Sequence, residues 1–253
     1  MQSLTARPRR WEPSCSSSTE AHGTIPAVPG PTTPAPLWRF GDPVQTLRDL
    51  VARGGVLAIP TESSYGLGAD PRNLSGVEAI YRIKEREAGK ALPVVVSGRG
   101  QLTGLGVDLG VDPILYIVNR LFEHWPAPLT AVLPIERPLP ASAGAATLAV
   151  RVPAHEGLRD LLEELGHGLT ATSANRSGEA PILDPAEVAA LLAGTDAAVV
   201  DGGILPGGPP STLVAIEEDG LVVLRRGNYP SERLRETFAR SPKGESSDDA
   251  PKV

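Results

Sequence analysis

Apolar residues recur along the chain in two rhythms, and the rhythms alternate. In "PVQTLRDLVARGG" Leu47, Leu50 and Val51 fall on one helical face, and Gly54 marks the stop. "VLAIP" (Val56–Pro60) is a short continuous apolar run of the kind a buried strand carries. Ser75 and Glu78 have capping-box spacing at the head of "SGVEAIYRIKERE", with Val77, Ile80 and Tyr81 facing inward. "LPVVVS" reads as a strand, and "DPILYIVNRLFEHW" as a helix with Ile114, Ile117, Val118 and Leu121 at helical spacing. "LTAVLP" and "TLAVRV" are strands; in the second, Leu148, Val150 and Val152 share a face while Arg151 points the other way.

"EGLRDLLEELG" predicts a helix closed by Gly166, and "LTATS" a strand. "DPAEVAALLAG" predicts a helix with Asp184 as N-cap, Pro185 at its first position and Glu187 completing the box. "AAVVDGG" is a further strand, "STLVAIEEDGLVVLRR" a hairpin through Asp219-Gly220, and Ser231–Arg240 a last helix. The alternation predicts an α/β fold: a single domain with a twisted mixed β-sheet and flanking helices. Strand order is not readable. Residues 1–38 are rich in Pro, Ser and Thr and residues 241–253 are polar, so both read as disordered tails around a domain at 39–240.

Composition narrows the chemistry. A net charge of −6 and 4% aromatic residues argue against a basic, base-stacking nucleic-acid surface. The single cysteine, Cys15, excludes an internal disulfide and a thiolate metal cluster. No run of about 18 apolar residues predicts a membrane span, and the start lacks the apolar core of a secretion signal, so a cytoplasmic location is expected. His22, His124, His155 and His167 lack ligand spacing, and His155 reads as a surface residue. No G-x-S-x-G elbow or carboxylate pair marks a hydrolase.

Three polar loops remain. "PTESSYGLG" (Pro60–Gly68) offers hydroxyls and two glycines, although by itself it is equally a turn. "KEREAGK" groups Lys84, Arg86 and Lys90 at a helix end, as simple capping or as a polyphosphate grip. In "GLTATSANRSG" Ser173 and Asn175 lie on one side, as a self-capping loop or as a pocket wall for a phosphate or an adenine. The want of an obvious nucleophile points to chemistry by positioning and charge stabilisation, such as nucleotidyl transfer.

Taken together these loops resemble the signature of the YrdC/Sua5 family, the threonylcarbamoyl-AMP synthases, in its short form. The resemblance rests on "PTESSYGLG", Lys84-Glu85-Arg86, Ser173-Ala174-Asn175, "WPAPLT" (Trp125–Thr130), "AVRVP" (Ala149–Pro153), "STLV" (Ser211–Val214) and "RRG" (Arg225–Gly227), in order over about residues 42–230. It implies a cleft that joins L-threonine, bicarbonate and ATP, with Mg²⁺, into threonylcarbamoyl-adenylate and pyrophosphate. A transferase complex then acts on tRNA adenosine 37.

The resemblance implies a catalytic tetrad of Lys84, Arg86, Ser173 and Asn175 around the ATP phosphates, with Lys90, Thr130, Ser211 and Arg225 toward the nucleotide. It implies Thr61, Ser63, Tyr65 and Arg151 toward threonine. The chain departs from the pattern at Glu87, where the family often has proline, and at Ser97, which stands about where the family has a histidine that helps bind the amino acid. That departure keeps open a same-fold enzyme that adenylates another carbamate or carbamoyl group. A non-enzymatic RNA-binding member is the third reading.

Overall fold

The computed structural model describes residues 33–87, 89–110, 114–217 and 220–238. The chain divides into Met1–Gly30 and Pro31–Val253, and the elements among the described residues belong to the second unit. The order opens with β1 (Leu37–Arg39), α1 (Gln45–Ala52), β2 (Val56–Pro60), β3 (Tyr65–Gly68), α2 (Leu74–Ile83), β4 (Val94–Val95), α3 (Arg99–Gly104) and α4 (Ile114–Phe122). It continues with β5 (Leu129–Pro134), a 3₁₀ turn at Pro140–Ser142, β6 (Thr147–Arg151), α5 (Glu156–Leu165), β7 (Leu169–Thr170) and β8 (Thr172–Ser173). It closes with α6 (Pro185–Leu191), β9 (Ala197–Asp201), the antiparallel pair β10 (Thr212–Glu217) and β11 (Gly220–Arg225), and α7 (Ser231–Phe238).

The α/β class stands, but the strands form two mixed sheets rather than one. The first runs β1-β9-β2-β3-β8 and the second β11-β10-β5-β6-β4-β7. Their facing sides make the main core: Val56, Ala58 and Leu67 from the first sheet meet Val94, Leu129, Leu148, Val150 and Val214 from the second. The alternate residues of β2, Leu57 and Ile59, pack on the opposite face with Leu47, Leu50 and Val51 of α1 and Leu158, Leu161 and Leu162 of α5. That is why "VLAIP" is apolar throughout: β2 lies between parallel β9 and antiparallel β3 and is covered on both faces. Each of these fully buried leucines contributes about 2 kcal/mol through area removed from water.

Several local expectations are corrected. The cap of α2 is Asn73, whose side chain accepts from the Gly76 amide, so the helix begins ahead of Ser75. His155 is half-buried and caps α5, its Nδ1 accepting from the Leu158 amide at 3.1 Å. "LTATS" does not run as one strand. Its first two residues pair with β4 in the second sheet, its last two with β3 in the first, and Ala171 is the crossing point. The boundary drawn at residue 38 falls inside β1, which pairs with β9 and tucks Trp38 into the second core, while Ala35 is buried in the main one. The rest of the N-terminal segment, the Asp219 side of the hairpin turn and residues 239–253 lie outside the described residues.

Candidate functional site

The Lys-x-Arg spacing is the product of how α2 ends. Glu85 adopts φ +49° and its amide donates to Arg82 O at 3.1 Å, while the Arg86 amide donates to Tyr81 O at 3.0 Å. This is a Schellman closure with glutamate at the left-handed position that glycine usually holds. The turn sends Lys84 inward, keeps Glu85 exposed and places Arg86 on the wall of a cleft of about 580 Å³. Tertiary contacts hold it: the Ser177 amide donates to Lys84 O at 3.0 Å and Glu85 pairs with Arg176 at 3.3 Å.

Lys84 is 3% exposed. Its ammonium donates to Ser173 O at 2.5 Å, Asn175 O at 3.0 Å and Asn175 Oδ1 at 2.9 Å, which uses all three protons. Asn175 Oδ1 also accepts from Ser173 Oγ at 2.6 Å, and Asn175 Nδ2 donates to Glu179 O at 2.7 Å. With the hydroxyl proton of Ser173 committed to Asn175, its lone pairs are what remain for the cleft. Burial, followed by the charge of Arg86, lowers the Lys84 ammonium from 10.5 to about 8. Lys84 and Asn175 thus lie behind the cleft wall, with Ser173 and Arg86 on it.

The remaining walls come from both sheets. Parallel pairing of β10 with β5 brings Thr130 and Ser211 together, their hydroxyls 2.7 Å apart. Arg225 donates to Ser211 O at 3.0 Å from β11. In the turn after β2, Thr61 Oγ1 donates to Ser64 O at 2.7 Å, and Ser63 lies on the wall beside it. Tyr65 also borders the cleft, but its side chain is fully buried. Its hydroxyl donates to Gly203 O at 2.9 Å and accepts from the Gly202 amide, so it serves the backbone. Lys90 is exposed and stands apart from the cleft wall, its carbonyl accepting from Tyr81.

Two residues change the sequence reading. Ser97 lies outside the cleft and donates to Glu163 at 2.6 Å, while Val95 is on the wall, so the Ser97 departure does not touch the pocket. Glu62, among the hydroxyls of "PTESS", is a residue whose part in the site the motif does not disclose. Its carboxylate pairs with Arg151 at 2.9 Å and accepts from the Ala154 amide. A lone acid in a loop of hydroxyls was the available signal.

Arg86, Arg151 and Arg225 line the cleft, and among the described residues no aspartate or glutamate does. Such a cleft concentrates anions. Its volume suits a small-molecule ligand. Leu92, Val94, Val95 and Leu213 add apolar stretches of wall beside the cations. No group of three His, Cys, Asp or Glu among the described residues is arranged to hold a metal ion.

Comparison with known proteins identifies the family and the fold. The Sua5/YciO/YrdC family model, described as "Telomere recombination", matches residues 49–227. A threonylcarbamoyl-AMP synthase of Thiobacillus denitrificans is 37% identical over 175 residues, 66% of this chain and 88% of that protein. One of Idiomarina loihiensis is 39% identical over 136 residues, covering 53% and 72%. Sua5 of P. abyssi, solved in complex with L-threonine, superposes with a TM-score of 0.70 at 30% identity over 80% of this chain and 60% of that one. YciO of E. coli superposes with a TM-score of 0.64 at 24% identity over 80% and 98%, a likeness of fold.

Proposed function

The chain belongs to the Sua5/YciO/YrdC family, and from that premise we propose that it is an L-threonylcarbamoyladenylate synthase, a nucleotidyltransferase using ATP and L-threonine. The observation that carries the reading is the meeting of Arg86, Ser173, Arg225 and the Thr61 turn on one acid-free cleft. Bicarbonate is the co-substrate, and Mg²⁺ arrives on the triphosphate as part of the substrate. The reaction belongs to the cytoplasm, and the product passes to a transferase complex that modifies tRNA adenosine 37. Nothing in the charge or aromatic content favours direct RNA binding by this chain.

The neutral amine of threonine forms a C–N bond to bicarbonate as a C–O bond breaks and water leaves, giving a carbamate whose oxygen attacks the α-phosphorus. A new P–O bond forms there as the bond to the pyrophosphate oxygen breaks, and the electron pair leaves with pyrophosphate. The carbamate is a weak, labile nucleophile, so the gain must come from alignment and from stabilising charge on the leaving group. Arg86 presents a planar fork to phosphate oxygens. Lys84 holds Ser173 and Asn175 in register behind it. Ser173, its proton already given to Asn175, accepts from a donor on the substrate. Arg225, fixed by Ser211, adds a second guanidinium, and the apolar wall protects the mixed anhydride from water.

Pyrophosphate release with ATP, Mg²⁺ and bicarbonate tests the assignment. It should require L-threonine and fall by about 100-fold in Arg86→Ala, in the range typical of a lost charge-stabilising donor. Release driven better by another amine or carbamoyl donor would move the assignment to a different adenylating enzyme. No release from folded protein would overturn it.

A further inference from the structure

Glu62 and Arg151 come from different sheets. Glu62 sits in the turn after β2 of the first sheet, and Arg151 is the last residue of β6 in the second. Their side chains retain 14% and 11% exposure, and they are joined at 2.9 Å. The second carboxylate oxygen of Glu62 accepts from the Ala154 amide, just past the end of β6. One side chain therefore ties both the guanidinium and the backbone of the second sheet to the loop that carries Thr61 and Ser63. Arg151 lines the cleft while Glu62 does not.

A carboxylate so placed does two things. It restricts a long, rotamer-rich arginine to one geometry, and it offsets the positive charge that Arg151 adds to a wall already holding Arg86 and Arg225. A mostly buried arginine stripped of its partner is left under-compensated, so its position depends on that partner. We propose that Glu62 is a positioning residue that acts through Arg151, setting the guanidinium beside Thr61 and Ser63 to receive the carboxylate of the amino-acid substrate. The inference rests on the synthase reading above. Glu62 never touches substrate, and its effect is felt at the amino-acid end of the cleft.

The test is a double-mutant cycle on the full chain with Glu62→Gln, Arg151→Ala and the double variant, read as threonine KM, ATP KM and kcat of pyrophosphate release. Glutamine keeps the shape and an acceptor, and a thermal melt of each variant verifies folding. Glu62→Gln should raise the threonine KM by about tenfold, the size expected when a hydrogen bond to a charged group is weakened. ATP KM and kcat should stay within about threefold. The double variant should be no worse for threonine than Arg151→Ala alone, because the two act as one unit.

Additive losses in the double variant, or a loss confined to ATP KM or kcat, would overturn the inference while leaving the synthase assignment intact. Unchanged kinetics in a folded Glu62→Gln would overturn it too. Failure of the parent enzyme to release pyrophosphate with threonine would instead strike the assignment itself. In that event equilibrium binding of L-threonine to the parent protein and to Glu62→Gln decides: weaker binding by the variant upholds the inference, and equal or absent binding ends it.

Discussion

Lys84 gives all three of its protons to Ser173 and Asn175, so its charge reaches the cleft mainly by holding those two residues. That charge has an upper pH limit, because burial and Arg86 bring its pKa down to about 8. As pH rises through that value one acceptor loses its donor and the wall beside Arg86 loses a cation. ATP affinity should therefore fall between about pH 7 and pH 9 in the parent enzyme, with a limb near 8 that is missing in Lys84→Met. A limb equally steep in Lys84→Met would assign it to another group. The sign for stability is opposite. Between about 8 and 10.5 the unfolded chain binds this proton and the folded chain does not, so the Lys84 contribution to stability rises with pH across that window. Alkaline loss of affinity through this residue is not a sign of unfolding.

At the scale of elements, the end of α2 holds strain that the motif needs. A non-glycine residue at φ +49° costs about 1–2 kcal/mol, and the exposed Glu85–Arg176 pair returns at most about 1 kcal/mol. Glu85→Gly should therefore raise stability by a few tenths to about 1 kcal/mol in chemical denaturation without moving Arg86. A loss of stability would mean that the ion pair matters more than the backbone. This turn also shows what the sequence could and could not disclose. Helical spacing gave α1, α4 and α5, because their buried leucines repeat on one face. The α3 segment, "RGQLTG", carries no helical stripe to read, because Leu102 is its one buried residue. The extended run through β7 and β8 was legible, but its split between sheets was not, since pairing partners are set by distant strands. At the site, residue types pointed to Arg86 and Ser173. The geometry that moves Lys84 behind the wall, retires the Tyr65 hydroxyl and links Glu62 to Arg151 belongs to tertiary packing.

For the molecule as a whole, the junction of α4 with the C-terminal hairpin and α7 carries a pH dependence of its own. His124 Nδ1 bonds Tyr229 Oη at 2.7 Å, and Arg120 donates to Thr237 O in α7 at 2.6 Å. Burial keeps the His124 imidazole below its ordinary 6.5; Arg120 and Arg233 push the same way, and Glu123 opposes. A depressed imidazole is neutral when folded and charges more readily when unfolded. Its contribution to stability is present above 6.5 and is lost as pH falls through that value toward the folded pKa. The thermal midpoint should drop between about pH 7.5 and 5.5, and drop less in His124→Gln. An identical drop would assign the effect elsewhere, for instance to His155, the α5 cap, which burial also lowers.

The crossing at Ala171 has a consequence for how such a chain can change over generations. Residues on either side of it are locked to different sheets, and strand side chains alternate with a period of two. One inserted residue between Thr170 and Ser173 would turn the Ser173 hydroxyl from the cleft to the opposite face and carry Asn175 away from Lys84. Exchanging a side chain there disturbs a contact; changing the count disturbs the whole constellation. In this stretch a change in the number of residues is thus expected to cost more than a change in the type of one.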